Sequence, residues 1–207
     1  MSESGVRAPR IHATAIVEPG VEIGPGTSIW DSVHVRGPAR IGSDCIVGEK
    51  TYIAYDVHVG DYVKINSFVY VCSGVTIEDR VMIAAGVVFT NDRFPRAFVD
   101  GHEGLAPSEP NDETLRTTVR EGATLGARSV IGAGLELGAY CMIGMGSVVT
   151  ADVPAHGLVY GNPARLMGHV CVCGARLPEA ATPACSRCDR RFARPTDRAG
   201  ALQSVSA

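Results

Sequence analysis

No segment of this sequence approaches eighteen uninterrupted apolar residues, so nothing in it predicts a membrane-spanning helix. It has no run of basic side chains. Its 19 lysines and arginines against 22 acidic residues leave a formal charge of −3, which argues against nucleic acid as the main partner. The first ten residues, MSESGVRAPR, lack the apolar core of a signal peptide. These absences predict a soluble, cytoplasmic chain with no membrane insertion. Tryptophan is nearly absent too: Trp30 is the single one, and it reads as a corner residue packed at a subunit interface.

What the sequence does have is a count of six. Ile11, Val17, Ile23, Ile29, Val35, Ile41, Val47, Ile53, Val59, Ile65, Val71, Ile77, Ile83 and Phe89 hold one phase, and it returns as Val119, Leu125, Ile131, Leu137, Ile143 and Val149. The position four residues on is small or β-branched, as at Thr27, Cys45 and Ser147. Glycine crowds the position after the lead residue and recurs three after it. A period of six is neither helical nor that of an alternating strand. It is the signature of a parallel β-helix, with one hexapeptide per short strand and corner. The lead aliphatic points inward, the small residue fills the corner, and glycine permits a turn at positive φ. With three hexapeptides per coil and ~4.8 Å between rungs, the twenty make under seven coils and a prism roughly 32 Å long. Sandwich strands separated by turns would not keep one phase for eighty residues.

The expected organisation is therefore an all-β chain. A lead-in covers residues 1–10, a repeat domain 11–168, a cysteine-bearing tail 169–193 and a frayed polar end 194–207. The repeats are broken by a loop, residues 91–118. A loop this long on a rigid scaffold collects binding residues, and it reads as a cover over a site.

The cysteines divide in two. Cys45, Cys72 and Cys141 fall in the repeats, where packing explains them. Cys171, Cys173, Cys185 and Cys188 lie within eighteen residues outside the repeats. Without a signal sequence a disulfide scaffold is not expected, and CxC…CxxC suits a tetrahedral, structural zinc site.

Three further stretches carry a resemblance: Phe89-Thr90-Asn91-Asp92-Arg93-Phe94-Pro95-Arg96-Ala97, Gly122-Ala123-Thr124-Leu125-Gly126-Ala127, and Gly161-Asn162-Pro163-Ala164-Arg165 followed by the cysteine tail. With the hexapeptides, over residues 11–193, the chain resembles the left-handed β-helix acyltransferases, and among them the nucleotide-amino-sugar N-acetyltransferases. The resemblance implies a left-handed parallel β-helix with a zinc-ribbon-like appendage. It also implies transfer from acetyl-CoA to the amine of a UDP- or dTDP-linked amino sugar, 3-amino in the closest pattern, at a site between subunits of a homotrimer. Asn91 matches the family asparagine that positions the substrate amine. Such enzymes can dispense with a side-chain base, the departing thiolate taking the proton. Gly126, Ala127, Gly132, Ala133 and Gly144 offer flat rungs for a pantetheine arm, unless the fold alone demands them, and Arg165 could meet CoA phosphates. Arg96 and Lys64 are candidates for the nucleotide diphosphate. After Lys64-Ile65 the chain departs from the expected polar pattern with Asn66-Ser67-Phe68.

Other readings compete. His34 and His58 are 24 residues apart, not a multiple of eighteen, so they cannot share a face on successive coils. Only His102 and His156 remain as candidate bases, and an O-acetyltransferase would need one. A three-histidine catalytic zinc, as in gamma-class carbonic anhydrases, fails because His156 and His169, the closest pair, are thirteen residues apart. A non-enzymatic trimeric scaffold is the third alternative.

Overall fold

The computed structural model describes residues 7–98, 104–193 and 202–205. Two- and three-residue strands stack into three parallel sheets that form the walls of a prism. The first wall runs from Arg10–Ile11 to Gly157–Gly161 and is extended by Ala164–His169. The second runs from Ile16–Val17 to Val148–Val149, and the third from Val21–Ile23 to Glu136–Leu137. Successive strands pair eighteen residues apart, as in Tyr52↔Tyr70 and Ile41↔Val59. Seven rungs stand in the second wall. The lead aliphatics fill the interior, and Ile53, Ile65, Ile83, Leu125 and Ile131 are all fully buried. At the open first coil the same position is half lost to solvent, Ile11 being 44% exposed.

Across the loop the register jumps. Val88 pairs with Val130 and Thr76 with Thr118, each forty-two residues on. The excess of twenty-four over one coil is a multiple of six, so the insertion leaves the phase untouched.

The glycines separate into two kinds. Those three residues after the lead residue, such as Gly86 and Gly146, have positive φ, as expected. Non-glycine residues hold the same conformation at the same position elsewhere, among them Lys50, Phe68 and Arg128. Those directly after the lead residue do not need positive φ. A Cβ on Gly48 would lie 2.7 Å from the Asn66 carbonyl carbon, because the next coil's backbone passes over it. Here glycine answers to the stacking distance of the coils, and the expectation that turns alone explain it is corrected.

At the far end the strands Gly157–Gly161 and Ala164–His169 form an antiparallel hairpin, turned at Asn162-Pro163. Beyond it a small core of Cys171, Leu177, Cys185, Phe192 and Leu202 closes the last coil. His156 is the hinge pin of this junction. It is 5% exposed, stacks on Tyr140 at 5.5 Å and meets the Phe192 ring edge-on at 5.0 Å. Its Nδ1 lies 3.0 Å from the Val170 carbonyl oxygen. The expectation of a frayed end for residues 194–207 does not hold at its described residues. Leu202 is buried, and Gln203–Val205 pairs antiparallel with Arg191–Ala193. One leucine in the right register supplies the apolar contact that a mostly polar tail conceals.

Candidate functional site

The loop leaves the second wall after Phe89 and re-enters the third at Thr117. Its two limbs meet at Phe98↔Leu105, and the Ala106 N–H donates to the Ala97 carbonyl at 3.1 Å. Its return is fastened by Arg116, whose Nη2 lies 2.8 Å from Asp56 Oδ2. Between the limbs and the coil corner lies a cavity of about 570 Å³, lined by Ser73, residues 91–95, residues 107–111 and residues 113–115. Asn91 stands at its root, where the last regular corner gives way, half-buried, with Nδ2 donating to Ser73 Oγ at 3.0 Å. Ser73 is itself only 5% exposed. The remaining charged lining is Asp92, Glu109 and Glu113 against Arg93, so the walls favour a cationic or hydrogen-bond-donating group.

Of the other residues singled out from sequence, some lie elsewhere. Arg96 is exposed on the loop, its Nη1 donating to the Pro95 carbonyl, and does not line the cavity. Lys64 is exposed on the first wall, between Ile46 and Met82. Gly126, Ala127 and Gly144 stack at the corner between first and second walls, near the hairpin that carries Arg165. Gly132 and Ala133 sit at the opposite corner, with the strand Val130–Ile131 between the two groups. They do not form one continuous surface within a chain. A Cβ on Gly126 would lie 2.5 Å from the Met145 nitrogen, and one on Gly144 2.6 Å from Tyr160 Cβ, so stacking already requires both glycines. Sequence reasoning missed Ser73. The signal was present, since Ser73 precedes Asn91 by eighteen residues and so occupies the same corner one coil earlier.

Among the described residues no histidine stands beside Asn91 as a base. His34 and His58 lie on different walls. His34 Nε2 is 2.9 Å from Glu18 Oε1, and Arg36 Nε is 2.7 Å from the same oxygen. Both partners hold the Glu18 carboxyl below the usual range. This group stands three rungs from the strand that leads to Asn91, ~14 Å away at strand spacing. His156 is committed to the end junction. His102 lies outside the described residues.

The four tail cysteines converge. Their sulfurs all lie within 4.8 Å of one another, with Cys171 Sγ 3.4 Å from Cys188 Sγ and Cys173 Sγ 3.6 Å from Cys185 Sγ. These separations are far too long for disulfides and close to the ~3.8 Å edge of a tetrahedron with zinc–sulfur bonds of about 2.3 Å. The Arg190 backbone N–H and guanidinium draw the Cys188 thiol down to about 6, which favours a thiolate, while burial raises Cys171. The cluster is able to hold a metal ion.

Comparison with known proteins agrees with this architecture. The bacterial transferase hexapeptide (six repeats) model matches residues 20–55 and 56–91, and the hexapeptide repeat of succinyl-transferase matches 117–151. A dTDP-3-amino-3,6-dideoxy-α-D-galactopyranose 3-N-acetyltransferase of Aneurinibacillus thermoaerophilus is 49% identical over 77 residues, 37% of this chain and 40% of that protein. The bifunctional protein GlmU of Heliobacterium modesticaldum is 31% identical over 175 residues, covering 72% of this chain and 34% of GlmU. The chain thus spans less than half the length of either curated relative. The crystal structure of LpxA, a UDP-N-acetylglucosamine acyltransferase from Bacteroides fragilis, superposes with a TM-score of 0.62 at 16% identity over 79% of this chain and 62% of that one, which speaks to fold alone. Among the described residues no helix is long and apolar enough to cross a membrane. On its repeats, its prism of parallel walls and these matches, the chain belongs to the hexapeptide-repeat left-handed β-helix acyltransferase superfamily.

Proposed function

We propose that this chain transfers an acetyl group from acetyl-CoA to the amine of a nucleotide-linked amino sugar, a 3-amino sugar on UDP or dTDP. The observation that carries this reading is the placement of Asn91, a half-buried amide at the root of an acid-lined cavity, where the repeats give way to the loop. The relative named for 3-N-acetylation of a dTDP-linked 3-amino sugar supports it. In the step itself, the neutral amine nitrogen attacks the thioester carbonyl carbon and the carbon–sulfur bond breaks. The leaving thiolate takes the proton the nitrogen must shed. No side-chain base is required in this reading. Holding both partners side by side removes much of the entropic barrier, and Asn91 positions without ionising.

The cavity is walled by one chain on one side only in this reading, and neighbouring copies in a homotrimer complete it. The second wall supports that arrangement: its outward row runs Ile16, His34, Tyr52, Tyr70, Val88, Val130, Val148, and Ile16 and Tyr70 are 57% and 44% exposed. Acetyl-CoA would lie along the Gly126–Ala127–Gly144 corner with Arg165 near its phosphates. Arg96 and Lys64 reach the nucleotide only across subunits. Zinc in the Cys171, Cys173, Cys185 and Cys188 site is structural, four thiolates leaving no open position. Such a reaction, fed by acetyl-CoA and a nucleotide sugar, places the protein in the cytoplasm.

The test is thiol release from acetyl-CoA with a panel of UDP- and dTDP-linked 3-amino and 4-amino sugars and their hydroxyl counterparts. Turnover of one amino sugar and not its hydroxyl analogue is expected, with Asn91→Ala lowering it about a hundredfold while the trimer persists. Turnover of hydroxyl sugars instead points to O-acetylation, and a silent panel without acetyl-CoA binding leaves a scaffold.

A further inference from the structure

Ser73 is the second polar residue of the loop cavity's root and has no role in the reading above. The geometry points to Ser73 as the positioning residue that holds the Asn91 amide with its nitrogen toward the scaffold and its oxygen toward the substrate. This inference rests on the proposed reaction for its chemistry, but its structural core does not.

An amide carries two donors on nitrogen and an acceptor on oxygen, and only one end can be offered to a reacting amine. Ser73 and Asn91 stand on one corner of successive coils, eighteen residues apart, and Asn91 Nδ2 donates to Ser73 Oγ at 3.0 Å. With its nitrogen tied to the scaffold, Asn91 presents Oδ1 to the cavity. An acceptor there takes one N–H of a neutral amine and leaves the nitrogen lone pair to face the thioester carbon. The opposite orientation would donate to that lone pair and quench the nucleophile. Burial makes the arrangement durable. Ser73 is 5% exposed, so its hydroxyl has little water to exchange for Asn91, and losing the bond would strand a buried polar group. The next residue, Gly74, has φ +79 and packs under Thr114 and Arg116, so the same corner that holds Ser73 also seats the returning loop.

The experiment has two arms. In the first, nitrogen-15 NMR of the full-length protein follows the Asn91 side-chain amide without any substrate. One Nδ2 proton protected from solvent exchange is expected in wild type and lost in Ser73→Ala; an unprotected amide in wild type overturns the inference whatever the substrate is. In the second arm, kinetics on the best amino sugar compare Ser73→Ala, Ser73→Thr, Asn91→Ala and the double variant. Ser73→Ala should lower kcat about tenfold with KM for acetyl-CoA unchanged, the size of one lost side-chain hydrogen bond in the transition state. Ser73→Thr, which keeps the hydroxyl, should recover most of it. In the Asn91→Ala background the Ser73→Ala loss should vanish. An equal loss in both backgrounds would show that Ser73 acts on the fold and not through Asn91, and overturns the inference. A protected amide in a protein that acetylates no amino sugar refutes the proposed reaction and leaves the Ser73–Asn91 orientation standing.

Discussion

The coil and the cysteine tail face the same difficulty, a core built from strands too short to be stable alone, and they solve it by different means. The coil solves it by repetition. Each two-residue strand is held by the rung on either side, and Ile29, Ile65, Leu125 and Ile143 form one continuous aliphatic core. The tail has no neighbour of its own kind. Its core is Cys171, Leu177, Cys185, Phe192 and Leu202, too little apolar volume to fold unaided. Two of those five residues are members of the four-sulfur cluster. In the proposed zinc reading a metal cross-link stands in for repetition, and the docking of the tail on the last coil is only as firm as that cross-link.

The sharpest way to break the comparison is to remove a sulfur. Cys185→Ser should release the metal and unravel residues 169–193 while the coil stays folded. Metal binding to such sites contributes on the order of 10 kcal/mol, so the module should be lost outright. Elemental analysis should fall from near one zinc per chain to near none, and limited proteolysis should cut the tail and spare the coil. A tail that stays protease-resistant and metal-free would show that packing alone holds it. The coil has its own counterpart. Ile65→Ala, fully buried in mid-solenoid, should cost about 2–5 kcal/mol in chemical denaturation, while Ile11→Ala at the open first coil should cost less than about 1 kcal/mol. Equal losses would mean that repetition does not protect the middle more than the end.

How much of this was legible in the sequence follows from the same contrast. In a repeat, position is arithmetic: eighteen residues is one coil, so the buried set, the corner set and the separation of His34 from His58 could all be read directly. The site was only partly legible because it lies where the arithmetic stops. Asn91 could be found as the last residue in phase before the loop. The acidic wall from Glu109 and Glu113 could not, because it depends on how the loop returns, fixed by the Arg116–Asp56 pair. Arg96 and Lys64 were chosen by charge, which says nothing about direction, and neither lines the cavity. In the tail, the four cysteines announced themselves by spacing, but Leu202 did not, since the few apolar residues of 194–207 follow no period that would give it away.

Glycine offers a finer test, between stacking and turning within the coil itself. Gly48→Ala puts a Cβ 2.7 Å from backbone atoms of the next coil, which cannot swing aside as a side chain would. Its cost should be at the upper end of the ~1–3 kcal/mol range for overpacking. Gly146→Ala meets nothing within 4 Å and has only its φ of +68 to answer for, about 1 kcal/mol, a conformation that Lys50 and Arg128 already hold at equivalent corners. Denaturant midpoints for the two variants should fall in that order. The reverse order would place the demand for glycine on the turns and not on the coil spacing.

The smallest effect bears on the seam between the two regions, at His156. Burial lowers its imidazole below the ordinary 6.5, an effect that the bond to the Val170 carbonyl opposes only in part. The unfolded chain therefore binds the proton more tightly than the folded one. The neutral ring's contribution to stability is whole above pH ~6.5 and declines as pH falls from there toward the lowered folded value, by at most about 1.4 kcal/mol per pH unit. His156→Phe keeps an aromatic ring between Tyr140 and Phe192 and removes the titration. Cysteine protonation in the tail weakens both proteins alike, so the informative quantity is the difference in unfolding free energy between wild type and variant at pH 7.5 and at pH 5.5. The wild type should lose more on acidification. If the two lose equally, the ring at position 156 titrates as it does in the unfolded chain, and the seam is held by its aromatic packing without regard to charge.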